Sequence, residues 1–189
     1  MKKTFLRISL LLLSTALISA AVVWFIFGPS AIIINSGLTY QKPILANSQQ
    51  FILYSLDPSS GHELIDSDDP DAKRKAELIK GKEKFHGFVV LGKTNITNPK
   101  VKARLISALY NGVGKGDGGA FCFDPHHGIR VVNGNQKLDL VICFECGKID
   151  VYTNFQSGEA YVDGSPQAIF DRVLTSAKIP LGERPNANN

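Results

Sequence analysis

The hydrophobic pattern divides the chain into two unequal parts. Residues 8–27 carry no charge, and only Ser9, Ser14, Thr15 and Ser19 interrupt an otherwise apolar run. Twenty helical residues at 1.5 Å each span roughly 30 Å, the thickness of a bilayer's hydrocarbon core. The run therefore predicts a transmembrane signal-anchor over residues 1–27. A cleaved secretory signal is the alternative, with Ile18, Ser19 and Ala20 as the small-residue site. Val22, Val23, Trp24, Phe25, Ile26 and Phe27 continue the run beyond the roughly 7–15 apolar residues that such a signal uses.

Beyond the run the periods are those of an ordinary domain. Residues 28–48 mix Gly28, Pro29, Asn35, Ser36, Gly37 and Pro43 and read as a linker. Residues 50–56 form a short Ile, Phe and Tyr run closed by Asp57 and Pro58, which predicts a strand and a turn. Asp69 and Pro70 open a helix to Lys80, with Gly81 just past its end. Residues 84–92 read as one strand. Asn98 and Pro99 begin a stronger helix to Tyr110, where Val101, Leu105, Ala108 and Leu109 recur on one side and Lys100, Lys102 and Arg104 on the wetter one. Residues 112–119 are a glycine-rich loop that lacks the closing Lys-Ser/Thr of a phosphate-binding loop.

The period then shortens. Residues 120–123, 129–132, 137–144, 148–153 and 159–162 are apolar runs separated by turn residues, an antiparallel meander. Ser165 and Pro166 cap a last helix to Ala177, with Ile169, Val173 and Ala177 as its buried stripe and Phe170 and Leu174 beside it. The expected fold is α+β: a transmembrane helix, then one domain over residues 49–180 with a mostly antiparallel sheet and two or three helices on one face. Residues 181–189 read as a flexible tail.

Charge sharpens the location. Three of the 21 Lys and Arg, namely Lys2, Lys3 and Arg7, precede the apolar run, leaving 18 against 17 acidic residues in the rest. No cation follows until Lys42, so the positive-inside bias places the amino terminus in the cytoplasm and the domain outside. If the signal is cleaved, the domain is secreted or periplasmic. The nearly neutral domain has no surplus to neutralise phosphates, which excludes a nucleic-acid partner on charge. The membrane, engaged through residues 8–27, is the partner expected.

Chemistry concentrates at the three cysteines. Cys143-Phe144-Glu145-Cys146-Gly147 has the C-x-x-C-G form of a metal knuckle, and Cys122 with His126 or His127 could supply two further ligands. Cys122, His127, Cys143 and Cys146 would suit a structural Zn²⁺ with a filled shell. Outside the cytoplasm the same cysteines would instead give one disulfide and one free thiol, since three cannot all pair within one chain; Cys122 with Cys143 or Cys146 is the natural pair, and a bridge within C-x-x-C would be of the redox-active type. Simple buried thiols and a Cys nucleophile with His127 as base and Asp124 as orienter complete the alternatives. Asp66, Asp68, Asp69 and Asp71 read as a solvated acidic loop, because Pro70 takes a ligand position and the loop glycine of a calcium site is missing. His62 and His86, without ligand-spaced neighbours, read as ordinary.

Four blocks carry a resemblance: FHGFVVLGKT at 85–94, CFDPHHGIRVV at 122–132, LDLVICFECG at 138–147 and GSPQAIFDRVL at 164–174. Together they resemble a group of small, uncharacterised exported bacterial proteins, with the CF-x-P-x-H-G-I and ICFEC blocks as the most specific parts. The first histidine position of that pattern is commonly Arg, which implies His127 rather than His126 as the ligand or structural histidine. The resemblance implies a shared fold and the Cys/His cluster as a common feature, and it brings no activity. The expected function is a membrane-anchored extracytoplasmic binding or structural module, with structural Zn as an option. A disulfide-stabilised interaction domain without metal is the first alternative, and a thiol-dependent enzyme is the second.

Overall fold

The computed structural model describes residues 38–61, 70–116 and 123–183. Four α-helices lie among them: α1 (Lys42–Ala46), α2 (Pro70–Ile79), α3 (Pro99–Gly112) and α4 (Gln167–Ser176). The strands are β1 (Gln50–Asp57), β2 (Lys84–Phe85), β3 (Phe88–Asn95), β4 (His127–Asn133), β5 (Gln136–Cys143), β6 (Lys148–Thr153) and β7 (Ser157–Tyr161). They form one sheet in the order β2-β3-β1-β4-β5-β6-β7, every neighbouring pair antiparallel. The α+β class and the antiparallel sheet are as expected. Among the described residues no helix is long and apolar enough to cross a membrane, and residues 8–27 lie outside them.

Strand alternation sorts the side chains onto two faces. Phe51 and Leu53 of β1, Ile129 and Val131 of β4, Leu138, Leu140 and Ile142 of β5, and Ile149 and Val151 of β6 share the main core. Leu45 of α1, Leu105, Ile106 and Leu109 of α3, and Phe170 and Leu174 of α4 close over them, so three helices lie on one face. Each such side chain, taken fully out of water, contributes about 1.5–3 kcal/mol. The opposite face is smaller and wetter, holding Tyr54, Leu56, Phe85, Phe88 and Val141. On α2, Leu78 is exposed.

Helix α3 starts where the sequence places it. The Asn98 side chain accepts from the N–H groups of Lys100 and Val101, satisfying two amides that the first turn leaves open. Helix α4 differs from expectation. Pro166 stands at its cap with no side-chain bond, while Ser165 donates its N–H and hydroxyl to Asp163. Its fully buried residues are Phe170 and Leu174; Ile169 and Val173 are half-buried and Ala177 is exposed.

Three boundaries are corrected. The second half of the expected linker belongs to the domain, because Leu38 and Leu45 are fully buried and α1 packs on α3. At the other end Leu181 joins the main core and Glu183 meets His126, so packing runs past the expected tail boundary at residue 180. Of the strand expected over 120–123, Phe123 belongs to no strand and the remainder lies outside the described residues.

The expected single strand over 84–92 is a hairpin. Phe85 pairs with Phe88 across His86 and Gly87, whose φ values of 48° and 93° are the two positive angles of a type I′ turn. The hairpin folds over the wetter face, where Phe85 stacks on Tyr54 with centroids 4.4 Å apart. Gly128 of β4 makes room for it, since a Cβ there would stand 2.8 Å from the Phe85 ring. Gly128→Ala is therefore expected to destabilise the fold by about 1–3 kcal/mol, the usual cost of an overpacked site. Chemical denaturation measures it, and an unchanged midpoint would count against this contact.

Candidate functional site

Two constellations meet on the sheet, one expected from the cysteines and one not. Cys143 closes β5 and Cys146 sits in the turn to β6, and the two are joined by a disulfide with Cα atoms 5.2 Å apart. Side chains three apart point to opposite faces of a straight strand, so this pairing exists only because the chain reverses between them. The Gly147 N–H donates to the Phe144 carbonyl within that reversal. Two backbone donors also address the sulfurs: Cys146 N–H reaches Cys143 Sγ at 3.0 Å, and Asp124 N–H reaches Cys146 Sγ at 3.4 Å. Both cysteines are buried.

The other members of the expected metal set are placed differently. His127 pairs in register with Ile142, one residue before Cys143, and so projects toward the helical face. Its Nε2 lies 2.8 Å from Oδ1 of Asp171 on α4, and its ring packs against Phe144 and Phe170. His126 Nε2 lies 3.3 Å from the Glu183 carbonyl oxygen. Cys122 lies outside the described residues, as do Asp66, Asp68 and Asp69, while of Asp71 only the backbone is described. The structure thus brings Cys143 and Cys146 together and leaves His127 on the other side of the sheet. Among the described residues no three His, Cys, Asp or Glu side chains are placed to share a metal ion.

The second constellation centres on Asp139 of β5, a carboxylate with 0% side-chain exposure. Arg130 stands directly across on β4 and binds it through two parallel hydrogen bonds, Nε to Oδ1 at 2.8 Å and Nη2 to Oδ2 at 2.7 Å. His86, from the tip of the β2–β3 hairpin, brings Nε2 to 2.8 Å from Oδ2. The His86 ring stacks on Tyr152 of β6 with centroids 3.9 Å apart and meets Phe85 edge-on, while the Arg130 guanidinium lies over Phe85. His86 is thus no ordinary surface histidine: it holds a positive φ that non-glycine residues rarely adopt, and its ring joins an edge hairpin to β5 and β6.

One signal for this cluster was in the sequence. Asp139 interrupts the apolar series Leu138, Leu140, Val141, Ile142, and a charge inside a strand that is apolar on both faces needs a partner. Its partner Arg130 interrupts Ile129, Val131 and Val132 in the same way. The role of His86 depends on the curl of the sheet, which no local pattern records.

The electrostatics of the face run in two directions. Burial pushes the Asp139 carboxyl up, but the hydrogen bonds and charges of Arg130 and His86 outweigh it and hold the group below the usual aspartate range. A carboxyl depressed by folding adds stability above its unfolded value of about 3.9 and loses that contribution as pH falls through the folded value. Asp150 of β6 behaves oppositely: burial raises it, Lys148 offsets this only in part, and its Oδ1 makes no hydrogen bond. A raised carboxyl favours folding when protonated and disfavours it once ionised. Asp150→Asn is therefore expected to raise stability at neutral pH, whereas Asp139→Asn should lower it and flatten the acid limb below about pH 4. Urea midpoints of both variants between pH 3 and 7 test the signs, and like responses would sink the assignment.

Comparisons with protein-family models, with curated proteins and with solved structures give no match for this chain.

Proposed function

We propose that the chain is a membrane-anchored extracytoplasmic binding or structural module whose β5–β6 turn is closed by a disulfide, rather than an enzyme. The observation that carries this reading is the bond between Cys143 and Cys146 at a buried hairpin turn. Such bonds persist in oxidising compartments, which agrees with the apolar run at residues 8–27 and the cations Lys2, Lys3 and Arg7 ahead of it. Burial also argues against thiol catalysis. A nucleophile must meet its substrate, and Cys143, Cys146, His126 and His127 are all enclosed.

The structural Zn²⁺ reading keeps one observation in its favour. The backbone N–H groups of Cys146 and Asp124, aimed at the two sulfurs, would stabilise thiolates if the bond were reduced. Cys122 and His127 would then have to complete the shell, which requires His127 to leave Asp171 and reach the other face. The full chain, purified in detergent from an oxidising compartment, separates the two by one paired measurement of metal and thiols. One titratable thiol after denaturation and no bound metal is expected; stoichiometric zinc with three thiols would overturn the disulfide reading.

A further inference from the structure

We infer that the outward side of α1 and α3 is a docking surface for the anionic phospholipid headgroups of the membrane that holds the chain, an inference that rests on the anchored reading above. Acidic residues are unevenly distributed along the chain. The first acidic residue of the whole chain is Asp57, and residues 84–116 contain no Asp or Glu. In residues 28–189, with 18 cations and 17 acids, these stretches hold cations and no acid, although Lys93 reaches back to Glu83.

The fold packs one helix from each stretch, α1 and α3, into one layer. Helix α1 lies against α3, Lys42 Nζ stands 5.0 Å from the Tyr110 ring centroid, and the Tyr110 hydroxyl donates to the Leu38 carbonyl at 2.6 Å. Lys102 Nζ donates to the Ser48 carbonyl at 3.0 Å and so ties the body of α3 to the end of α1. Lys42, Lys100 and Arg104 are exposed, and among the described residues none of them is in an ion pair. Lys100 and Arg104 are four apart, hence on one side of the helix. The residues exposed with them on that side, Ala103, Ser107 and Asn111, are small or uncharged, so a flat anionic surface could approach closely.

The described chain begins at Leu38, within this layer, and residues 28–37 separate it from the end of the apolar run. Even fully extended, that segment reaches no more than about 40 Å. Each Lys or Arg near a bilayer surface that carries phosphatidylglycerol gains roughly fivefold in binding, so Lys42, Lys100 and Arg104 together give on the order of a hundredfold. The attraction fades within a Debye length of about 8 Å at physiological salt, which confines it to the side nearest the lipid.

The test uses the full chain in nanodiscs of phosphatidylcholine alone or with about 30% phosphatidylglycerol, whose headgroups give the surface a negative potential. A water-soluble amine-acylating reagent and mass spectrometry report each lysine. Lys42 and Lys100 are expected to be protected at least roughly tenfold in the anionic discs, with the protection lost in high salt, while Lys80 and Lys137 stay reactive in both lipids. The K42Q/K100Q/R104Q chain should show the same Lys102 reactivity in either lipid. Equal reactivity of Lys42 and Lys100 in the two discs, protection that persists in neutral lipid as a protein contact would give, or uniform protection of every lysine would overturn the docking surface. Failure of the chain to enter discs at all would instead overturn the anchored reading, so the two fail separately.

Discussion

Replacing Arg130 with Met should lower the unfolding free energy by about 3–5 kcal/mol, the usual cost of stripping one partner from a buried ion pair. The asymmetry of the pair makes the expectation specific. Asp139 has 0% side-chain exposure, so without Arg130 its carboxylate keeps only the His86 ring at 2.8 Å and the Lys137 ammonium at 3.9 Å, and it cannot turn to water. Arg130 is 34% exposed, so after Asp139→Leu its guanidinium can rotate outward, and that change should cost only about 1–3 kcal/mol. The double variant R130M/D139L should be more stable than R130M alone, because it removes the orphaned charge as well as the partner. Denaturant titration of the four proteins gives the cycle. Additive single effects, or a larger cost for D139L than for R130M, would show that the carboxylate is not enclosed.

The second large effect lies on the other face. Phe170→Ala is expected to cost about 3–5 kcal/mol, because the ring is fully buried and packs edge-on against both Phe144 and His127. Ala177→Ser, at the position that helical spacing alone marks as core, should change stability by less than about 0.5 kcal/mol, since it is exposed. Thermal or urea unfolding compares the two directly, and similar costs would place α4 in a different rotation.

That contrast shows where pattern reading stops. In α4, Ile169, Phe170, Val173, Leu174 and Ala177 fill two adjacent stripes of one helix, and period does not choose between them. Tertiary packing does: Phe170 and Leu174 are buried in the main core, while Ile169 and Val173 lie at its margin. Strands β1 and β4 to β7 were legible because turn residues bound each apolar run, and α3 because Asn98 and Pro99 announce its start. The hairpin at 84–95 was not, since its first arm is two residues long and Phe-His-Gly-Phe looks like an interrupted strand. At the candidate sites, the spacing of Cys143 and Cys146 allowed them to converge in a turn, but their bond to each other replaces the expected pairing of one of them with Cys122. The separation of His127 from them followed from register, which is set by pairing with β5 and is invisible in either segment alone.

The reach of the β2–β3 hairpin also bears on the order in which the molecule assembles. Its tip residue His86 touches Asp139 on β5 and Tyr152 on β6, although β3 is separated from β5 in the sheet by β1 and β4. Those contacts have no counterpart until four other strands are in register, so they form after the sheet and open before it. His86→Ala should accordingly speed unfolding while leaving the folding rate nearly unchanged, a φ-value near zero. The imidazole then acts as a latch closed last, and its contact with Asp139 reports that the sheet beneath it is complete.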